Sequence, residues 1–302
     1  MKLGVVMDPI GSINFKKDST LSILLEAQLR GHELFYMEPT SLFLREKGAY
    51  ALISSIVVRD DPEDWYELSG LIEKDLSFLD MILMRQDPPF DSNYFYNTYV
   101  LDAAERSGVK VINRSNSLRD CNEKVFISQF PQCCTPFMVS SDESLIKSFI
   151  NEHLDVVIKP LDGMGGSSIF RIKKAEPNLS VILETMTKRS LRKVMIQKYI
   201  PEIIQGDKRI LLINGNPLGG AIARVPAEGE FRGNLAAGAT PLAKALSDRD
   251  KWICEQVGPS LKKLGLVIVG LDVIGDYLTE INVTSPTCFR EYKNLLDIDV
   301  SS

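Results

Sequence analysis

Three groups of residues in this sequence have types and spacings that could do chemistry. The run Asp162-Gly163-Met164-Gly165-Gly166-Ser167-Ser168 places three glycines and two serines within seven residues. A backbone without Cβ atoms can bring its N–H groups close to a phosphate. The run lacks the Lys-Ser/Thr ending of a P-loop, and the alternation Ile169-Phe170-Arg171-Ile172 after it reads as a strand, not as the helix that a dinucleotide fingerprint opens. Alone, it would serve equally well as a hairpin turn. Lys159, at the end of an apolar strand just ahead, tips the reading toward phosphate, because a lysine there is costly unless its ammonium meets an anion.

The second group is Asp272, Glu280 and Asn282, in LDVIGDYLTEINVTSP. Glu280 and Asn282 are two apart on a predicted strand and so share a face. Three oxygen donors, two of them carboxylates, suit Mg²⁺. Glu-x-Asn on a strand is also an ordinary solvated face; the apolar Leu278, Ile281 and Val283 around it, with an Asp across the turn, favour a metal site. Strand parity sets a condition. A regular two-residue turn at Gly275-Asp276 would pair Asp272 with Thr279 and turn it away from the other two, so a shared site requires an odd-length connection or a bulge. The third group is Arg85, Arg209, Arg224 and Arg232, all at strand ends or in glycine-containing loops. Singly each is an ordinary surface ion-pair partner; together they suggest a substrate bearing several carboxylates.

These residues need a framework, and the pattern supplies one in two parts. Strand, helix and strand alternate over Leu3–Met7, Leu21–Leu29, Glu33–Met37, Leu79–Met84, 93–107 and 109–112, which predicts an open, largely parallel α/β sheet. Within that part, Leu42–Val58 reads as a hairpin about Glu46-Lys47-Gly48 and Trp65–Ile72 as a helix. Ser117 reads as the cap of a helix through Phe130. Beyond it the strands follow one another through tight turns, as in an antiparallel α+β fold: Val156–Lys159, Ile169–Ile172, Val194–Ile200, Ile210–Ile213 and Leu218–Val225 about Asn214-Gly215, a helix over Asp248–Leu264, then Leu266–Ile274 and Tyr277–Val283. The glycine- and alanine-rich Val225–Pro241 reads as a mobile lid. The predicted division is 1–118 and 119–302, the latter split at 200/201.

Composition bounds the function. The chain has 302 residues, 44% hydrophobic and 25% charged, so it can bury real cores. A net charge of -5 offers no basic field for nucleic acid. His32 and His153 are the only histidines, which excludes a three-histidine zinc site and points to catalysis without histidine. Five scattered cysteines with no Cys-x-x-Cys pair fit a reducing compartment, and no uncharged apolar run reaches the ~18 residues of a membrane span. The expectation is a cytoplasmic protein that binds neither nucleic acid nor membrane.

The runs MDPI (7–10), MRQDPPFD (84–91), SLRDCNEK (117–124), KPLDGMGGSSIFR (159–171), GDKR (206–209), RGNLAAG (232–238) and GLDVIGDYLTEINVTSPTC (270–288) closely resemble the bacterial glutathione synthetases, a family of ATP-grasp ligases, with the match extending to about residue 291. The resemblance implies an N-terminal α/β domain followed by an ATP-grasp domain, and ATP-dependent joining of γ-glutamylcysteine to glycine through an acyl phosphate. It places Lys124 and Lys159 on the ATP phosphates, with Gly163, Gly165, Gly166, Ser167 and Ser168 as a clamp over them. It sets adenine against Gln197, Lys198, Tyr199 and Ile200, where a strand stopped by Pro201 would leave backbone groups free for a purine edge, and the ribose near Asp207. It gives Mg²⁺, with Mn²⁺ as the alternative, to Asp272, Glu280 and Asn282. Arg85, Arg209, Arg224, Arg232, Asn234, Ser285 and Thr287 become contacts to the peptide, the acyl phosphate or the lid, Arg209 being the catalytic one. It further implies a homotetramer. Members of the family usually continue into a further helix where this chain ends with Leu295–Ser302, a difference that bears on subunit packing more than on chemistry. Two rivals share the ATP site: another ATP-grasp carboxylate–amine ligase, and a catalytically silent ATP-binding module.

Overall fold

The computed structural model describes residues 1–302. Its first part runs β1 (Lys2–Val6), α1 (Ser19–Leu29), β2 (Glu33–Met37), β3 (Leu42–Arg45), β4 (Gly48–Val58), β5 (Tyr66–Leu68), β6 (Ile72–Asp75), β7 (Met81–Met84), α2 (Ser92–Arg106) and β8 (Lys110–Ile112). Asp18 and Asp91 cap the two helices by accepting from the Leu21 and Tyr94 amides. The strand order is β3-β4-β2-β1-β7-β8, with β5 and β6 pairing onto β4. Only β2-β1-β7-β8 is parallel; the other pairs are antiparallel, so the sheet is less parallel than expected.

The predicted helix at Trp65–Ile72 is instead β5 and the start of β6. The eleven-residue β4 outruns its neighbours and offers open backbone, which Tyr66 and Leu68 take opposite Val58 and Ile56. Trp65 packs its ring near Phe15 and donates its indole N–H to the Ile10 carbonyl at 3.1 Å. Pairing with an existing edge outweighs a weak local preference.

The predicted helix from Ser117 through Phe130 is also broken. Here α3 (Ser115–Asp120) stops at Cys121, and a 3₁₀ segment follows at Val125–Gln129. Asn122 causes the break: its Oδ1 accepts from the amides of Lys124 and Val125, starting a new turn. Ser117 does not cap a helix but donates its hydroxyl to the Leu264 carbonyl.

The remainder forms two antiparallel sheets. One has order β11-β10-β12-β9, from β9 (Phe137–Ser140), β10 (Asp155–Pro160), β11 (Phe170–Lys173) and β12 (Val194–Lys198), with α4 (Glu143–His153) and α5 (Leu179–Met186) beside it. The other has order β16-β15-β13-β17-β18 and contains β13 (Asp207–Ile213), β14 (Asn216–Pro217), β15 (Ala221–Val225), β16 (Thr240–Lys244), β17 (Ile268–Ile274) and β18 (Tyr277–Asn282), with α6 (Asp248–Leu264) and α7 (Phe289–Leu296). Asn214 and Gly215 have φ of 49° and 76°, the two positive values a type I′ turn needs. The strand after that turn is interrupted at Leu218–Gly220, so Leu218–Val225 is not continuous.

One core spans the first and third sheets, joining Val6 and Ile82 to Leu271, Val273 and Ile281. Asn113, 2% exposed, ties the same two together: its Oδ1 accepts from the amides of Val267 and Ile268, and its Nδ2 donates to the carbonyls of Ile268 and Val283. The four-stranded sheet has a core of its own, from Ile146, Val156, Ile158 and Ile196.

Candidate functional site: two adjoining cavities

A cleft of about 830 Å³ lies where the second and third sheets meet. Lys159 reaches it from β10, with its Nζ 3.3 Å from both Glu280 Oε1 and the Thr279 carbonyl. Lys124 donates to the Gly163 carbonyl at 2.8 Å and lies 3.6 Å from the same Glu280 oxygen. Glu280 therefore sits between two buried ammonium groups. Burial pushes its carboxyl up, but the two lysines outweigh this and hold it below the usual range. Burial lowers Lys159, and Lys124 lowers it further, against the pull of Glu280.

Gly163, Gly165, Gly166 and Ser167 line this cleft; Ser168 does not. Opposite them stand Arg232 and Asn234 from the segment between β15 and β16. Arg232 donates to the Gly166 carbonyl at 3.3 Å while Glu230 grips the rest of its guanidinium. Gly166 has φ +79°, and a Cβ there would collide with Asn234 Oδ1. The glycine loop and the second segment are thus in direct contact.

Gln197, Lys198, Tyr199 and Ile200 form the far end of the cleft. The open edge is narrower than expected, because the Lys198 and Tyr199 amides are committed to the Pro136 and Asp155 carbonyls. The donors left over are the Ile200 amide and the buried, unpartnered Gln197 Nε2. Beside them Asp207 accepts from Arg224 through one oxygen and leaves Oδ1 buried without a partner. Burial pushes the Asp207 carboxyl up to about 6 against the opposing Arg224.

A second cavity, of about 770 Å³, shares Gly163, Met164, Gly165, Asn234, Asp272 and Glu280 with the first. Arg209, Arg224, Asn282, Ser285 and Thr287 line it as well. Arg209 and Asp272 are cross-strand neighbours on β13 and β17, and Arg209 grips both carboxylate oxygens at 2.6 and 3.0 Å. Arg224, opposite Asp207 in the register, lies 3.0 Å from Asp272 Oδ2. Burial opposes the charge on Asp272, but the two guanidiniums hold its carboxyl well below the usual range. Each arginine keeps Nη1 without a protein partner.

The parity condition on the β17–β18 hairpin is met. The turn is the two-residue Gly275-Asp276, and a bulge follows: Val273 pairs with Leu278, then Asp272 with Glu280 and Gly270 with Asn282. Thr279 is the extra residue, and its hydroxyl donates to the Asp272 carbonyl at 3.1 Å. Asp272, Glu280 and Asn282 consequently line one cavity. Their donors fit a hard divalent cation. Glu280 Oε2 has no protein partner, and Asn282 donates Nδ2 to the Gly270 carbonyl, leaving Oδ1 free. Asp272 brings oxygens that retain lone pairs beyond those engaged by the arginines.

Arg85 is not among the residues lining either cavity. It is 4% exposed, donates to Thr20 Oγ1 and to the Pro286 carbonyl, and has an unpartnered Nη1; burial lowers its pKa. It braces the wall behind Pro286. Among the lining residues outside the predicted set are Phe231 in the first cavity and the acids Asp87 and Glu123 in the second. The blocks MRQDPPFD and SLRDCNEK contain the two acids, but only tertiary contact shows where they point.

Residues 1–119 match the family model of the prokaryotic glutathione synthetase N-terminal domain, and residues 123–297 that of its ATP-grasp domain. The chain is 55% identical over 297 residues to the glutathione synthetase of Pseudomonas aeruginosa, covering 98% of this chain and 94% of that one. It is 52% identical over 301 residues to that of Vibrio cholerae, covering 100% and 95%. Solved structures share the fold at low identity. A D-cycloserine synthetase gives a TM-score of 0.65 at 13% identity over 94% of this chain and 92% of that one. An ATP-grasp ligase complexed with a minimal precursor gives 0.63 at 18% over 100% and 95%.

Proposed function

The chain belongs to the prokaryotic glutathione synthetases, an ATP-grasp family, and from that premise we propose how its two cavities divide the work. Its activity is the ATP-dependent ligation of γ-glutamylcysteine and glycine to glutathione. The observation that carries the division is the shared wall. Six residues border both cavities, so a nucleotide in the first ends where a carboxylate substrate in the second begins.

In this reading adenine meets Gln197 Nε2 and the Ile200 amide beside Lys198 and Tyr199, and the ribose meets the free Asp207 oxygen. The phosphates lie under Gly163–Ser167, drawn by Lys124 and Lys159. The cysteinyl carboxylate attacks the γ-phosphorus, ADP departs, and glycine's amine displaces phosphate from the resulting acyl phosphate. Arg209 and Arg224 offer their free Nη1 atoms to the oxygens that carry charge in these steps, within walls that exclude water. Asp272, Glu280 and Asn282 would hold Mg²⁺, or Mn²⁺. Bound there, the ion supplies neutralisation of phosphate charge. Arg232 and Asn234 close the site from the lid at 225–241; Ser285 and Thr287 line the dipeptide's end. Arg85 acts on the dipeptide through the Pro286 wall.

The test is phosphate release with each substrate omitted in turn. Release that needs both γ-glutamylcysteine and glycine supports the reading. Release with D-alanine in place of glycine, or none at all, overturns it in favour of another ligase or a silent module. We further propose a division at 118/119 with subdomains meeting at 200/201, a homotetramer, and a cytoplasmic location. No helix is long and apolar enough to cross a membrane, and all five cysteines are unpaired. A monomer in analytical ultracentrifugation would remove the tetramer.

A further inference from the structure

We infer that Glu123, with Asp87 at the rim, reads the α-ammonium group of the dipeptide, an inference that rests on the second cavity being the dipeptide site. Four carboxylates line that cavity. Two are already neutralised: Asp272 by Arg209 and Arg224, Glu280 by Lys124 and Lys159. Glu123 and Asp87 have no cation within ion-pair distance. A ligand that left them so would leave two negative charges uncompensated in a partly desolvated cavity.

Glu123 is also built to present one oxygen. Its Oε1 accepts three hydrogen bonds, from the Val283 amide at 2.9 Å, the Thr284 amide at 3.0 Å and the Thr284 hydroxyl at 2.7 Å. Its own carbonyl accepts from the Ile281 amide. Oε2 takes no protein partner, so the carboxylate is held rigidly with one acceptor free. Asp87 is fixed through its backbone, whose amide donates to Asp8 Oδ2 at 2.8 Å.

γ-Glutamylcysteine is a matching zwitterion. Its carboxylates suit the free Nη1 atoms of Arg209 and Arg224, and its single ammonium suits Glu123 and Asp87. Guanidiniums alone would accept any dicarboxylate of the right length. The acids add a requirement for positive charge at one position, which is how a site rejects a near-isostere lacking it.

The test compares γ-glutamylcysteine with glutaryl-cysteine, the same molecule without the α-ammonium, in wild type, Glu123→Gln and Asp87→Asn. Wild type should lose on the order of 100-fold in kcat/KM on the glutaryl compound. Glu123→Gln should lose a similar factor on the true dipeptide and then distinguish the two compounds by no more than about threefold, with KM for ATP unchanged. Asp87→Asn should narrow the ratio in the same direction. The Asp87 side chain makes no ion pair within the protein, and the amide oxygen of Asn can still accept from the neighbouring Ser285 hydroxyl, so this variant carries the test alone where Glu123→Gln impairs ATP binding. Full wild-type discrimination in both variants overturns the inference. Wild type that turns over neither compound overturns the dipeptide reading itself.

Discussion

Glu280 is the residue on which the two cavities turn, since one carboxylate oxygen faces Lys124 and Lys159 while the other is free. Glu280→Gln keeps the shape and removes the charge. It should lower kcat by on the order of 100-fold, and near-normal turnover at saturating Mg²⁺ would end its assignment as a metal ligand. The thiols make a second case at this scale. Burial pushes Cys121 up to about 11 and Cys134 and Cys254 up to about 12. None of the three is therefore a thiolate at neutral pH, and native protein at pH 8 should titrate with a disulfide reagent far more slowly than protein in urea. The linkage has a definite sign. The unfolded chain loses these protons near pH 9 and the folded one only higher, so their contribution to stability falls as pH rises from about 9 toward 12. A urea midpoint that climbs over that interval would contradict the burial of these groups.

Between elements, the informative contact is the glycine loop against the segment joining β15 to β16. Gly166 has a positive φ and no room for a side chain beside Asn234, so Gly166→Ala strains the loop and pushes the two apart. KM for ATP should rise about 5- to 30-fold, the factor matching the ~1–2 kcal/mol of a non-glycine residue in that region. In wild type, limited proteolysis should cut first within 225–241. ATP, Mg²⁺ and dipeptide together should protect that segment, whereas Gly166→Ala should be cut alike with and without them. Equal cleavage of ligand-free and liganded wild type would remove the lid.

At the scale of the whole molecule, the first and third sheets share one core and Asn113 stitches them with four hydrogen bonds. Asn113→Ala strands two amides and two carbonyls in a buried site, which should cost about 3 kcal/mol. Each part holds one of the chain's two tryptophans, Trp65 in the first and Trp252 on α6. In single-tryptophan versions both signals should shift to lower urea together. A shift confined to Trp65 would mean that the two parts unfold separately. The four-stranded sheet has a core of its own, the arrangement from which a rigid-body displacement relative to the other two sheets would arise.

The sequence by itself determined which chemistry is present and much of where it sits along the chain. A glycine run behind a strand-end lysine, acids flanking a tight turn and arginines at strand ends are local patterns. Helices such as Asp248–Leu264 are equally local, with their stop and cap signals within a few residues of each end. Even the bulge left a trace: Leu278 and Ile281 are three apart yet both join the core, which no regular strand allows. Tertiary structure alone decided the rest. Trp65–Ile72 became strand because β4 had an edge to fill, and the helix after Ser117 broke at Asn122. Arg85 went behind a wall while Glu123 came to the front. In each case the deciding partner lies far away in sequence or competes with a weak propensity, and the free energy of a distant hydrogen bond or a buried charge is not written in the residues nearby.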